Sequence, residues 1–384
     1  MEQNFIYLDH AAATPMDERV ISAMQPYLTT NFFNPSSPYM PAILVRRAYE
    51  DAKQKLANLI GAKSGDIVMT AGATESINLA FSGISGHVIV SNIEHHAVLA
   101  CARACCNTII ESDEKGMISA EKVKQALRPD TQLVSIALAN NELGTIQPLH
   151  DIALVIKKER ESRLLSGNKT PIYFHTDASQ GAGLIDVNVA RLGVDMLTLN
   201  AGKVYGPKQV GLLWLSSQAK VEPKILGGGQ ERGLRSGTEN VAGTIGFSKA
   251  YEMVFEHRKY ESERLEKLRN YLQKTLLEAF PEAVISGNQK SRLPSFLHIS
   301  FPKLDAERLI FLLEDRGVLV ASGSACAANK GTRSHVLTAI GLSPELADGS
   351  IRITLGHLSN EENVKKAGEI IIQEIKREYE RMGL

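Results

Sequence analysis

The chain has 384 residues, of which 43% are hydrophobic and 22% charged, and its formal net charge is zero. Its length suggests two domains at roughly 150 residues each, and its composition is that of an ordinary globular protein, which excludes a disordered, collagenous or coiled-coil chain. The balance of 43 basic and 43 acidic residues argues against a protein that bulk electrostatics holds on nucleic acid or on a membrane surface.

The chain contains four cysteines, at Cys101, Cys105, Cys106 and Cys326. Three in one short stretch and one far away do not form a disulfide framework, and no paired CxxC pattern suggests zinc or another metal. The N-terminal sequence lacks the basic and apolar regions of a signal peptide. No stretch approaches the roughly 18 apolar residues of a membrane span. We therefore expect a cytoplasmic protein with no membrane association.

Short apolar runs alternate with helical segments through the first two thirds of the chain. The runs lie at 66–70, 87–91, 132–139, 172–178, 195–201 and 210–215. Strands buried on both faces and separated by helices indicate an α/β fold with a mostly parallel sheet, in which some strands could be antiparallel. Ligands bind at the carboxyl ends of such strands, and these ends carry the sequences TAGATES, SNIEHHA, ANNELG, HTDASQG and NAGKVYGPK.

The remainder of the chain predicts a smaller α+β domain. Residues 247–280 contain no Gly or Pro and have leucines at helical spacing, which predicts a long helix that bridges two domains. We assign residues 15–250 to a large domain, and residues 1–14 and 251–384 to a small domain.

A carboxylate and an amine follow two of the predicted strands, at Asp177 and Lys203. Such a pair suits pyridoxal phosphate, because a lysine forms a Schiff base with the aldehyde and an aspartate keeps the ring nitrogen protonated. A structural ion pair or two solvent-facing loop residues would give the same pattern, and motif matches this short are common by chance.

Two further strand ends carry candidate cofactor contacts. The N–H groups of Ala73 and Thr74 could bind a phosphate at a helix N-terminus, although Thr74 could equally be an ordinary N-cap. His95 and His96 could stack on a flat ring or carry a proton, although loop histidines more often bond only their neighbours.

The later part of the chain adds an arginine-containing glycine loop, a thiol and a strand arginine. The segment GGGQERGLRSGTEN (227–240) could wrap an anion or a subunit boundary, or it could be a flexible surface loop. Cys326 lies among small residues, where an accessible thiolate would be a nucleophile. By contrast, Cys101, Cys105 and Cys106 fall in a predicted helix and are expected to be core residues. Arg352 could grip a carboxylate or form a surface salt bridge.

Together these segments resemble the cysteine desulfurases, in the class-V aminotransferase group of pyridoxal-phosphate enzymes of fold type I. The resemblance covers nearly the whole chain in order, through the motifs YLDHAAATP, NPSS, GATES, EHHAV, ANNELGTIQP, HTDASQ, GKVYGPK, GGGQERGLRSGT, SGSAC and SIRITLG. It implies a large domain with a mostly parallel mixed sheet flanked by helices, and a smaller α+β domain that carries the catalytic cysteine loop.

The resemblance also implies which residues hold the cofactor, pyridoxal 5'-phosphate. Lys203 would be the Schiff-base lysine, and Asp177 would pair with the pyridinium nitrogen. Gln180 would contact the phenolic oxygen, while His95 would stack on the ring with Asn141 nearby.

The same comparison of motifs implies a phosphate site that two subunits share. Ala73, Thr74 and Asn200 would hold the phosphate within one chain. Thr238 would reach the phosphate of the neighbouring subunit, which implies a homodimer.

For the substrate, the resemblance implies L-cysteine, bound through Arg352, Asn34 and Asn141. Lys203 and His95 would be the proton carriers, and the Cys326 thiolate would attack the substrate sulfur. L-alanine would leave, and the persulfide on Cys326 would pass its sulfur to an acceptor protein for iron–sulfur cluster assembly or thiolation. The activity would be that of a sulfurtransferase with no direct nucleic-acid partner.

Four positions depart from the family pattern. Gly202 stands where a histidine usually precedes the Schiff-base lysine, and Asn200 stands where a serine is usual. Gln209 replaces the usual glycine after YGPK, and Tyr39 stands where a histidine is common. None removes a group that the chemistry requires, but phosphate binding would then depend more on Asn200.

Two other classes of function remain open from the sequence. A selenocysteine lyase or an aminotransferase would share the cofactor residues, but an aminotransferase needs no thiol at Cys326. A non-catalytic scaffold that kept the fold would not bind the cofactor.

Overall fold

The computed structural model describes residues 5–63, 67–322 and 333–384. The strands are β1 (Ile6–Tyr7), β2 (Ile67–Thr70), β3 (His87–Ser91), β4 (Asn107–Ile110), β5 (Thr131–Ser135), β6 (Tyr173–Asp177), β7 (Met196–Asn200), β8 (Gly211–Leu215), β9 (Val284–Ile285), β10 (Phe296–Ser300), β11 (Val318–Leu319), β12 (Ala321–Ser322) and β13 (Ser350–Thr354). The α-helices are α1 (Glu18–Thr29), α2 (Met40–Leu59), α3 (Ala73–Ala80), α4 (His96–Arg103), α5 (Ala120–Ala126), α6 (Leu149–Ser166), α7 (Val189–Leu192), α8 (Val241–Ala279), α9 (Ala306–Asp315), α10 (His335–Ala339), α11 (Pro344–Asp348) and α12 (Glu361–Met382).

A seven-stranded sheet forms the centre of the larger part of the molecule. Its strand order is β2-β8-β7-β6-β5-β3-β4. Only β8 is antiparallel to its neighbours in this sheet, and the other described pairs are parallel. The carboxyl ends of β2, β3, β5, β6 and β7 therefore meet at one edge. The predicted α/β architecture is confirmed.

Both faces of this sheet are covered. Consecutive residues of a strand point to opposite sides, and the residues of β3 are buried on both sides. Ile89 packs into the core shared with α1, α2 and the first part of α8, whereas Val88 and Val90 pack into the core shared with α3 and α4. This explains why the strands read as continuous apolar runs rather than as alternating ones.

A second core lies around the four-stranded antiparallel sheet β12-β13-β10-β9. The N-terminus belongs to it, because β1 pairs in parallel with β11 and Leu8 is fully buried there. Helices α9 and α12 contribute Leu309, Leu313 and Ile371 to the same cluster.

Helix α8 connects the two cores. Its 39 residues begin six residues before the predicted start, at Val241. Phe247 and Tyr251 near its start pack into the first core, and Leu268 and Leu272 further along pack into the second. The division into residues 15–250 and the remainder stays a prediction, and its boundary at 250 falls inside this helix.

Two local expectations were wrong. Helix α4 ends at Arg103, so Cys105 and Cys106 lie beyond it, and Cys106 is exposed rather than in the core. The run at 132–139 is a strand only to Ser135, after which its backbone joins the carboxyl edge of the sheet.

Two properties of the described ranges bear on function. No helix there combines the length and apolar character that a membrane crossing requires. Nor do three or more His, Cys, Asp or Glu side chains of these ranges come together in a way that could hold a metal ion.

Candidate active site

A cavity of about 350 Å³ opens at the carboxyl edge of the seven-stranded sheet. Residues from five strand ends, from the N-terminal segment and from β13 line it. The predicted site residues among them are Ala73, Thr74, His95, Asn141, Asp177, Gln180, Asn200, Lys203 and Arg352. The structure therefore brings together side chains that are up to 279 positions apart in the chain, as 73 and 352 are.

Lys203 and Asp177 lie at the ends of adjacent parallel strands. Asp177 is the last residue of β6, and Lys203 follows β7 in a short 3-10 turn, Ala201–Lys203. The Lys203 Nζ donates to the carbonyl oxygens of Ala11 at 2.6 Å and Ala12 at 2.7 Å. Gln180 Nε2 also donates to the Ala11 oxygen, at 3.2 Å. The N-terminal segment thus forms one wall around the amine.

The turn after β2 presents an uncapped helix N-terminus to the cavity. Gly72 is the N-cap residue of α3, and no side chain caps this helix. The alternative in which Thr74 is the cap is therefore wrong. Gly72 has a φ of 132°, which favours glycine, and a Cβ at Gly211 would lie 2.7 Å from the Gly72 backbone. Backbone N–H groups at such a terminus attract anions.

His95 carries its proton on a defined nitrogen. It is the N-cap residue of α4, and its Nδ1 accepts from the backbone N–H of Ala97 at 3.1 Å. The neutral ring therefore has its proton at Nε2. Burial lowers the pKa of His95, and the nearby Asp177 partly opposes this shift. The ring is consequently neutral at physiological pH.

Arg352 enters the site from β13 and is almost fully buried. Its Nη2 donates to the Asp9 carboxylate at 2.7 Å, and its Nη1 donates to the carbonyl oxygen of Asn141 at 2.9 Å. Its Nε is also buried and has no hydrogen-bond partner among the described residues. The predicted surface salt bridge is therefore a buried ion pair, with 5% of the Arg352 side chain exposed.

Two buried glutamates flank this arrangement. Burial raises the pKa of Glu142 to about 7, although its carboxyl accepts a hydrogen bond from the Ser334 hydroxyl at 2.5 Å. Burial likewise raises the pKa of Glu94 to about 8, against hydrogen bonds from Ser91 and the Ala137 backbone. Near pH 7, Glu94 is therefore largely protonated and Glu142 is about half protonated in the folded protein.

Two predicted site residues, Asn34 and Thr238, lie outside the cavity, and a third is not among the described residues. Asn34 is exposed, and its side chain accepts from the backbone N–H of Ser36 at 2.9 Å. Thr238 is also exposed. Neither is among the described residues that line the cavity. Cys326, the predicted nucleophile, lies outside the described residues.

Sequence reasoning assigned no role to several residues that the structure places here. Asp9, Glu142 and His335 either line the cavity or contact Arg352. Asp9 belongs to the YLDHAAATP motif and Glu142 to ANNELG, so both motifs carried a signal. Nothing in the local sequence showed which partner either carboxyl would meet.

A family profile and two named relatives match almost the whole chain. The aminotransferase class-V family profile matches residues 6–367. The chain is 40% identical over 378 residues to "Cysteine desulfurase IscS" of Dictyoglomus turgidum, covering 95% of this chain and 93% of that protein. It is 36% identical to the human protein "Cysteine desulfurase", over 97% of this chain and 82% of the human one.

Solved structures show the same similarity. A "NIFS-LIKE PROTEIN" superposes with a TM-score of 0.88 at 32% identity, over 97% of this chain and 99% of the other. "SspA in complex with cysteine" superposes with a TM-score of 0.77 at 35% identity, over 91% of this chain and 98% of the other.

Proposed function

Since the chain belongs to the aminotransferase class-V family and, within it, to the cysteine desulfurases, we propose that it removes the sulfur of L-cysteine and releases L-alanine. One observation carries the proposal. Lys203, Asp177, His95 and Arg352 line a single cavity, together with the uncapped N-terminus of α3.

The residues of the cavity fit pyridoxal 5'-phosphate. The Lys203 amine would hold the aldehyde carbon covalently, and the Asp177 carboxylate would pair with the ring nitrogen. Gln180 would donate to the phenolic oxygen, and the His95 ring would cover the pyridine face with Asn141 beside it. When bound, the cofactor supplies an electron sink that stabilises negative charge on the substrate carbons.

The phosphate would bind at the start of α3. Ala73 and Thr74 would donate backbone N–H groups, since no side chain occupies this terminus as a cap. The Asn200 side chain accepts from the Gly202 N–H at 2.9 Å, which leaves its amide nitrogen to donate. Thr238 of a second subunit would complete the phosphate site.

Arg352 would bind the substrate carboxylate. Its buried and unpaired Nε lacks an acceptor among the described residues, and a carboxylate would supply one. Asn141 lies beside it, and its carbonyl oxygen holds the guanidinium at 2.9 Å. Asn34 is the remaining predicted contact.

Proton movements would fall to two groups in the cavity. The neutral His95 ring would accept a proton at Nδ1, in place of the Ala97 N–H, and would return a proton from the resulting imidazolium. The Lys203 amine is oriented by two carbonyl oxygens at 2.6 and 2.7 Å, which fixes the position of its nitrogen relative to the cavity.

Cys326 would be the sulfur acceptor within the enzyme. Its thiolate would take the substrate sulfur as a persulfide and then pass that sulfur to an acceptor protein for iron–sulfur cluster assembly or thiolation. The homodimer, this acceptor and the cytoplasmic location are parts of the same proposal.

Mass spectrometry after incubation with cysteine tests the proposal. The protein loaded with pyridoxal 5'-phosphate should gain one sulfur atom on the peptide that carries Cys326 and should release alanine. Cys326→Ser should lose both, while Cys106→Ser, which removes an exposed thiol outside the site, should retain both. Alanine and sulfide release that is unchanged in Cys326→Ser would overturn the persulfide route. A protein that stays colourless with the added cofactor would overturn the activity.

A further inference from the structure

A buried carboxylate anchors the glycine-rich segment 227–240 to the sheet. Glu231 and Arg232 have positive φ angles of 49° and 60°, which non-glycine residues rarely adopt. The Glu231 carboxylate accepts from Tyr49 Oη at 2.5 Å, from Lys53 Nζ at 3.0 Å and from the backbone N–H of Met69 at 2.7 Å. These contacts hold an otherwise unfavourable backbone against β2.

The same segment makes a second contact at Glu75, six positions after Met69. Arg235 Nε donates to Glu75 Oε1 at 2.9 Å, and the other oxygen of Glu75 accepts from the Ala71 N–H at 2.8 Å. Glu75 lies in the first turn of α3. The segment is therefore hydrogen-bonded both to Met69 and to Glu75.

Between these two points lies the turn that would receive the cofactor phosphate. It contains Gly72, at a φ of 132°, and the N–H groups of Ala73 and Thr74. A backbone anion site depends on the direction of its N–H groups, so both ends of the turn must be fixed for the groups to converge on one point.

The cost of the anchor also indicates a purpose beyond stability. The side chains of Lys53 and Glu231 are 7% and 4% exposed. Burying an ion pair often contributes no more stability than packed apolar side chains of similar volume would. Apolar residues would therefore fill a purely structural role equally well, whereas a fixed position for the Met69 N–H requires a hydrogen-bond acceptor, which Glu231 supplies.

We propose that Glu231 and Arg235 are positioning residues that hold the turn 71–74 in the geometry required for the cofactor phosphate. Tyr49 and Lys53 fix the Glu231 carboxylate, and Glu75 connects Arg235 to the turn. This inference rests on the proposed function, because it assigns the phosphate to this turn.

Titration of the full-length apoprotein with two forms of the cofactor separates positioning from general stability. Pyridoxal 5'-phosphate and pyridoxal differ only in the phosphate, and the visible absorbance of each bound form reports occupancy. In Glu231→Gln and in Arg235→Met, the Kd for the phosphorylated form should rise roughly tenfold to a hundredfold, the range seen when groups that orient a ligand-binding residue are removed. The Kd for pyridoxal should change by no more than about twofold.

Two variants serve as matched controls. Arg191→Met removes an arginine from an ion pair that is mostly exposed, and Lys55→Met removes an exposed lysine from α2, the helix that carries Lys53. Both should leave the two Kd values unchanged. Arg235 is the safer test variant, because 26% of its side chain is exposed and its loss should not prevent folding.

Each outcome decides the proposal. Equal weakening of both ligands in the test variants, or no weakening of either, would overturn the positioning role and leave the proposed function intact. Failure of the unmodified protein to bind pyridoxal 5'-phosphate would overturn both.

Discussion

Arg352 donates to the carboxylate of Asp9 at 2.7 Å, although the two residues are 343 positions apart in sequence. The proposed substrate carboxylate would bind to the same guanidinium. Asp9 thus neutralises a buried positive charge and would compete with the substrate carboxylate for it.

Asp9→Asn should strengthen substrate binding and weaken the fold. The amide retains a hydrogen-bond acceptor but removes the competing charge, so the KM for cysteine should fall about tenfold, which corresponds to a charge-assisted hydrogen bond of about 1.4 kcal/mol. The Tm should fall because the buried guanidinium loses its negatively charged partner. Steady-state alanine release measures the KM. Asp17→Asn, which removes the partner of the exposed Arg19, is the control. An increased KM in Asp9→Asn would show that Asp9 orients Arg352 rather than competing for it.

His95→Gln should remove a proton carrier. The rate should fall by about 100-fold to 10,000-fold, as expected when a general acid or base is lost. In the unmodified enzyme, kcat/KM should rise with pH to a plateau, with its midpoint below the ordinary histidine pKa of 6.5, because burial lowers the pKa of His95. His95→Gln should lack this acidic limb. His150→Gln, at an exposed position, should retain both rate and limb. An acidic limb that persists in His95→Gln would assign it to another group.

Gly202→His should restore a phosphate contact. A Cβ at Gly202 would meet nothing closer than Asn200 Oδ1 at 3.4 Å, so the backbone has room for a side chain. One added hydrogen bond to a charged group should lower the Kd for pyridoxal 5'-phosphate by about tenfold. Gly202→Ala, which fills the same space without an imidazole, should not change this Kd. Weaker binding by the histidine variant would mean that the turn around Asn200 is adapted to glycine.

Glu142→Gln should change how stability depends on pH. The pKa of Glu142 is about 7 in the folded protein, against an ordinary value of 4.5. Between these values the folded protein holds a proton that the unfolded chain has lost, so this group's contribution to stability falls as pH rises through the window. Glutamine does not titrate, so the variant does not lose stability in this way as pH rises.

Denaturant unfolding at a series of pH values checks this expectation. The free energy of unfolding of Glu142→Gln, relative to that of the unmodified protein, should increase by a few kcal/mol between pH 4.5 and about pH 8. Each unit of pKa difference corresponds to about 1.4 kcal/mol. Glu278→Gln, on the exposed face of α8, should show no such trend. A difference that is constant with pH would contradict a raised pKa at Glu142.

The location of the site at the carboxyl edge of the sheet could be predicted, because the residues that indicate it are close in sequence to the strands. Asp177 and Asn200 end apolar strands and Lys203 follows three positions after Asn200, and parallel strands bring such ends together whatever their order. The strand order itself, the antiparallel β8 and the short polar strand β4 could not be predicted, since they depend on pairing between distant segments.

The partners of the buried charged residues were equally out of reach. Glu231 occurs in a glycine-rich segment that reads as a flexible loop, yet it meets Lys53, 178 positions away. The cysteines show the opposite case, because helical periodicity extended past Arg103 although the helix ends there. Such contacts and boundaries are set by tertiary packing, which overrides local preference.

The pairing of β1 with β11 has a consequence for synthesis on the ribosome. Strand β1 and Asp9 emerge before their partners, β11 and Arg352, which lie more than 300 positions later in the chain, have been translated. At about 5–20 residues per second, the leading segment waits on the order of a minute or less without its strand partner. The larger core can condense during that interval, but the cavity acquires its arginine last, so nascent or truncated chains can be compact and still have no completed site.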